Sequence, residues 1–147
     1  MSIWWSLHLR REAASVPLAR RLLLGAMETA GVDPDSSYDL SVALSEACAN
    51  AVEHGGASDP SAAYRVTAYL DGERCRIEVS DTGPGFTGPT PRPARQAPAD
   101  AEHGRGLRII RELADHVHIG NTSTRGGAVV SFDKIIKWRE DTPLLAV

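Results

Sequence analysis

The stretch Arg74-Cys75-Arg76-Ile77-Glu78-Val79-Ser80-Asp81-Thr82-Gly83-Pro84-Gly85 decides how this chain folds. Its first residues alternate: Cys75, Ile77 and Val79 share one face and the charged Arg74, Arg76 and Glu78 the other, which is the period of a half-buried strand. Asp81 continues the parity of the apolar face. An ionised carboxylate turned toward a core is costly unless N–H donors meet it, so Asp81 calls for a hydrogen-bonding partner where the strand runs out and a ligand pocket would open. Gly83 and Gly85 let the backbone turn there and approach that partner closely.

Upstream, Tyr64, Val66, Ala68 and Leu70 alternate on a second strand, and Asp71-Gly72 supplies a two-residue hairpin turn between the two. Further back, Leu40, Ala43, Leu44, Ala47, Cys48 and Ala51 form one apolar stripe on a helix from about Ser37 to Glu53. Glu46 and Asn50, four apart, border that stripe on the same side. An earlier helix spans about Glu12 to Ala30, with Val16, Ala19, Leu22, Leu23 and Met27 apolar and Gly31 as its C-terminal cap. The chain opens with a strand in which Ile3, Trp5, Leu7 and Leu9 alternate with Trp4, Ser6, His8 and Arg10; an exposed Trp4 would suit a dimer contact. Downstream, residues 86–103 hold Pro89, Pro91, Pro93 and Pro98 without apolar period and read as a long lid-like loop. Helical spacing resumes from Gly104 to Asp115 through Leu107, Ile110 and Ala114. Two strands follow near Val117–Ile119 and Ala128–Phe132, and the tail from about residue 138 reads as loosely attached. Order is therefore β-α-α-β-β-lid-α-β-β in one domain over residues 1–147. The fold class is α+β: a two-layer sandwich whose mixed, mostly antiparallel sheet is covered on one face by helices.

Composition limits the chemistry. With 147 residues, 42% hydrophobic and 24% charged, the chain has material for one core. No run approaches the roughly 18 apolar residues of a membrane span and the N-terminus lacks a signal-peptide pattern, so a cytoplasmic protein without membrane contact is expected. A net charge of −3 gives no basic footprint for direct nucleic-acid binding. Cys48 and Cys75 are isolated and on core-facing parity, as reduced core thiols are. The only lysines, Lys134 and Lys137, exclude a Walker A loop and the eukaryotic kinase pattern. A third polar group, Gly104-Arg105-Gly106-Leu107, opens the third predicted helix, where free backbone N–H groups suit an anion such as phosphate.

Taken in order, E-x-x-x-N, D-x-G-x-G, a Pro-rich lid and G-x-G-L, the chain resembles the GHKL ATPase superfamily, whose nucleotide-binding module is the Bergerat (histidine-kinase-like ATPase) fold. Within it, the chain is most similar to the bacterial anti-sigma-factor serine kinases. Leu44 to His54 looks like the N-box, Asp81 to Phe86 the first glycine box and Gly104 to Ile110 the second, so the likeness runs from about residue 7 to 134. The resemblance implies ATP and Mg2+ as cofactors. It implies Asp81 as acceptor of the adenine amino group, with Gly83 and Gly85 beside it, and Asn50 as Mg2+ ligand. Gly104, Arg105, Gly106 and Leu107 would lie about the phosphates, and Glu46 would be the general base toward a substrate serine. Family members commonly carry threonine where Gly127-Ala128 stands here, which leaves the support of Asp81 to Thr124 or another hydroxyl, or the nucleotide site weaker. His54 reads either as a structural hydrogen-bonder or as a catalytic group. The implied function is a protein serine/threonine kinase that phosphorylates a STAS-type anti-anti-sigma protein and sequesters a sigma factor, acting as a homodimer. The alternative is a catalytically silent ATP-binding module that grips a sigma factor or other partner without phosphotransfer.

Overall fold

The computed structural model describes residues 2–54, 63–81, 101–121 and 127–140. Eight elements follow in order: β1 (Ile3–Arg10), α1 (Ser15–Ala30), α2 (Pro34–His54), β2 (Ala63–Leu70), β3 (Arg74–Asp81), α3 (Ala101–Leu113), β4 (His116–Asn121) and β5 (Ala128–Ile135). The strands form one sheet in the order β1-β2-β3-β5-β4, and all four described pairings are antiparallel. The helices cover one face. Among them α2 is central, packed against α1 on one side, α3 on the other, and β3 and β5 beneath.

Strand parity sets the two layers. Cys75, Ile77 and Val79 are buried under the helices with Tyr64, Val66, Ala68 and Leu70 from β2 and Val130 and Phe132 from β5. The expected α2 stripe is the buried face of that helix: Leu40, Ala43, Leu44, Ala47, Cys48 and Ala51 are each at most 4% exposed. In α1 the buried line is Ser15, Ala19, Leu23, Met27 and Ala30. Leu22, expected in that line, is 45% exposed beside Leu18, because a residue one place before Leu23 sits about 100° around the helix.

Helix starts differ from expectation for reasons of proline chemistry. Pro17 has no N–H, so it fits the first turn of a helix beginning at Ser15 and would break the ladder of one beginning at Glu12. Asp33-Pro34-Asp35-Ser36, expected as a break, instead starts α2: Pro34 takes the first helical position and Asp33 caps it. The Asp35 N–H donates to Asp33 Oδ2 at 3.1 Å and the Ser37 N–H to the Asp33 carbonyl at 3.0 Å. Gly31 closes α1 as expected, at φ 94° with its N–H donating to Met27 and Glu28 carbonyls.

The β2–β3 hairpin is also rearranged. The Asp71 N–H donates to the Arg74 carbonyl, and Asp71 Oδ1 accepts the N–H groups of Glu73 and Arg74, both at 2.8 Å. Gly72-Glu73 is thus the tip, and the Asp71 carboxylate replaces the backbone acceptor that a two-residue turn would use. Beyond β5, residues 136–139 are anchored: the Trp138 ring N–H donates to Gly72, and the Arg139 N–H to Gly31.

Candidate functional site

Two half-buried polar side chains of α2, Glu46 and Asn50, border its buried stripe and flank Cys48. They face α3 at one residue. A Cβ built on Gly106 would lie 3.0 Å from Glu46 Oε2 and 3.9 Å from Asn50 Oδ1. The third helix begins at Ala101, not at Gly104 as the spacing predicts. Its free N–H groups therefore belong to residues 101–104, and Arg105 and Gly106 lie within the ladder. Leu107 and Ile110 are buried and fix which face of α3 meets α2. Gly106, between Arg105 and Leu107, is buried against α2, whereas the Arg105 side chain is exposed.

Asp81 ends β3 on its core-facing side, half-buried, across from Tyr64 in the β2–β3 register. Its donor comes from the sheet: the Ala128 N–H donates to Asp81 Oδ1 at 3.2 Å. The residue before, Gly127, takes φ 91°, a region L side chains rarely adopt, and so aims the first N–H of β5 across at β3. At the position where family members commonly carry threonine, it is thus the main chain that donates to the Asp81 carboxylate. Thr124, the hydroxyl named as a substitute, lies outside the described residues, as do Gly83, Gly85 and the lid from 86 to 100; so does the side chain of His54.

A hydrogen-bonded chain that the sequence did not disclose ties this end of the sheet to α2. Ser15 Oγ donates to the Glu12 carbonyl at 2.7 Å, so its remaining bond, with the Tyr64 hydroxyl, must be one it accepts. The Tyr64 hydroxyl is in turn in hydrogen-bonding contact with the Cys48 thiol. Burial pushes the Cys48 thiol up to about 12, the Tyr64 bond offsetting little of that, and burial likewise raises Cys75 to about 12. Neither is a nucleophile at neutral pH. Tyr64 follows strand parity like any core residue; a hydroxyl on core parity was the one sign that a buried partner existed. Because Cys48 sits between Glu46 and Asn50, this chain sets α2 against the strand pair that carries Asp81.

The donor set suits a hard cation. An amide oxygen and a carboxylate oxygen converge on Gly106, and Mg2+ prefers one or two such protein oxygens completed by phosphate and water. Among the described residues no three His, Cys, Asp or Glu side chains cluster as a protein-only cage would need. Among them, too, no helix is long and apolar enough to cross a membrane.

The histidine kinase-like ATPase domain family matches residues 9–134. The chain is 30% identical over 129 residues to the serine-protein kinase RsbW of Bacillus subtilis, covering 82% of this chain and 78% of that one. It is 25% identical to the crystal structure of the RsbU and RsbW domains of a Mycobacterium tuberculosis protein, with a TM-score of 0.66; 90% of this chain is covered, but only 33% of that longer chain. The Pseudomonas aeruginosa SiaB–SiaC complex has the same fold at 12% identity, with a TM-score of 0.60 and 90% and 89% of the two chains covered. With Glu46, Asn50 and Gly106 assembled between two helices and Asp81 at the adjoining strand end, the chain belongs to the histidine kinase-like ATPase (GHKL) superfamily, on its branch of bacterial anti-sigma-factor serine-protein kinases.

Proposed function

We propose that this protein binds ATP between α2, α3 and the end of β3 and transfers its γ-phosphate to a serine of a STAS-type anti-anti-sigma protein, while sequestering a sigma factor as a homodimer. The observation that carries this reading is the approach of Gly106 to Glu46 Oε2 and Asn50 Oδ1, which brings the second glycine box against the N-box. Asp81, whose Oδ1 accepts the Ala128 N–H, would be the acceptor of the adenine amino group, an ionised carboxylate having about four lone-pair sites. The Asn50 amide oxygen would hold Mg2+, which when bound neutralises charge on the β- and γ-phosphates. Of the second glycine box, Gly104 and the exposed Arg105 are the residues that would meet the phosphates, with Arg105 the cation, whereas Gly106 and Leu107 are buried and pack α3 in place. Gly83 and Gly85, outside the described residues, would by the family resemblance belong to the purine side of the site. Glu46 takes the serine proton as the serine oxygen bonds to the γ-phosphorus and the bond to the β-phosphate oxygen breaks, releasing ADP.

The alternative is nucleotide binding without phosphotransfer, which the alanine at position 128 favours. Glu46→Gln separates the two. Incubated with Mg-ATP and its antagonist, the wild type should label one serine. The variant should transfer about 10²–10⁴-fold more slowly, with nucleotide affinity kept within about threefold. A wild type that labels no serine ends the kinase reading.

A further inference from the structure

Gly25 and Gly106 both stand in helix interiors, and they differ in what surrounds them. Gly25 in α1 is exposed, and a Cβ there would meet nothing within 4 Å. Gly106 in α3 is buried, and a Cβ there would stand 3.0 Å from Glu46 Oε2. Glycine weakens a helix interior relative to alanine, so a buried interior glycine needs a reason in what it packs against. Phosphate binding by free N–H groups is a poor reason for Gly106, since α3 begins five residues earlier, at Ala101.

We infer that Gly106 is a positioning residue for Glu46: the missing side chain reserves the space that the Glu46 carboxylate occupies, and α3 is left weaker in exchange. The backbone accepts an alanine at this position, because the atom in the way is the free end of a flexible side chain and not main chain. A methyl at 106 therefore displaces the carboxylate and leaves the fold standing. The methyl moves that carboxylate by a few tenths of an ångström, and since a misplacement of about 1 Å costs on the order of 10²-fold in rate, proton removal should slow roughly tenfold. This inference deepens the proposed function, resting on Glu46 as the base, but its packing half stands apart from catalysis and is tested apart.

The test uses the full chain as wild type, Gly25→Ala and Gly106→Ala, and as Glu46→Ala and Glu46→Asp, each alone and combined with Gly106→Ala. Gly25→Ala, which touches nothing, should raise Tm by about 3 °C through helix propensity alone. Gly106→Ala should gain the same about 3 °C only in the Glu46→Ala background, and at least about 2 °C less when Glu46 is present. Calorimetry with Mg-ADP should give Gly106→Ala an affinity within about twofold of wild type, while its phosphotransfer falls by roughly tenfold. In a Glu46→Asp background, whose shorter side chain clears the methyl, the same substitution should cost less than about threefold.

Equal Tm gains with and without Glu46 overturn the packing claim. Transfer kept within about threefold, or lost in step with Mg-ADP affinity, overturns the positioning claim and returns Gly106 to nucleotide binding. If the wild type transfers no phosphate, the proposed function falls and the Tm cycle still decides whether position 106 reserves space for Glu46.

Discussion

Replacing Asp81 by asparagine separates binding of the purine from support of the fold. The side chain keeps an oxygen that can accept the Ala128 N–H now held at 3.2 Å, so the nucleotide-free protein should melt within about 3 °C of wild type. What it loses is the charge and the second acceptor, which becomes an NH2 donor. A hydrogen bond to a charged group in a half-buried site contributes about 1.5–3 kcal/mol, so ATP affinity should fall roughly 10–150-fold. The loss can be followed by melting. With nucleotide at 100 times the wild-type Kd, binding stabilises the wild type by about 2.7 kcal/mol, and a thirtyfold weaker Kd leaves about 0.9 kcal/mol. At about 3 °C per kcal/mol for a chain of this size, the nucleotide-induced rise in Tm should shrink from about 8 °C to about 3 °C. Calorimetric titration of ATP with Mg2+ gives the same comparison directly. An unchanged nucleotide-induced shift would refute Asp81 as the purine acceptor, and a collapse of the nucleotide-free Tm would show it to be a fold residue first.

Tyr64→Phe removes the hydroxyl between Ser15 and Cys48, and leaving those buried groups short of a partner should cost about 1–2 kcal/mol and lower Tm by about 3–7 °C; an unchanged Tm would show that the relay contributes nothing. The Asp71 carboxylate, held below its usual 3.8 by the N–H groups of Arg74 and Glu73, stabilises the hairpin fully above that value and progressively less as pH falls through its lower folded-state value. Asp71→Ala should therefore lower Tm by about 2–3 °C at pH 7, with the gap to wild type closing in acid below about pH 3.8. A gap that persists unchanged to about pH 2 would mean the carboxylate acts by something other than its charge.

The legible parts of this protein are those governed by residues near one another in sequence. Alternation in Tyr64–Leu70 and Arg74–Asp81 encoded two strands and their buried faces, and the Leu40–Ala51 stripe encoded the inner face of α2. Glu46 and Asn50 could be placed on a common edge because four residues make about one helical turn. Local chemistry was also present but misweighed: Pro17 and Pro34 mark first turns, and Asp71 prefers to close its turn with its own carboxylate. Leu22 shows the limit of counting apolar residues, since composition alone does not say which of two neighbouring leucines faces the core.

By itself, then, the sequence determined the α+β order, the half-buried strands and three polar boxes in the spacing of the GHKL superfamily, because a strand's period of two and a helix's period of 3.6 are fixed by backbone geometry. Only the tertiary structure decided that Gly106 stands against Glu46, that the Ala128 N–H meets Asp81, and that Tyr64 joins Ser15 to Cys48. Each of these depends on which helix or strand lies beside which, with 60, 47, 49 or 16 residues between partners. Such neighbours are set by packing the whole apolar face at once, and no local period records them.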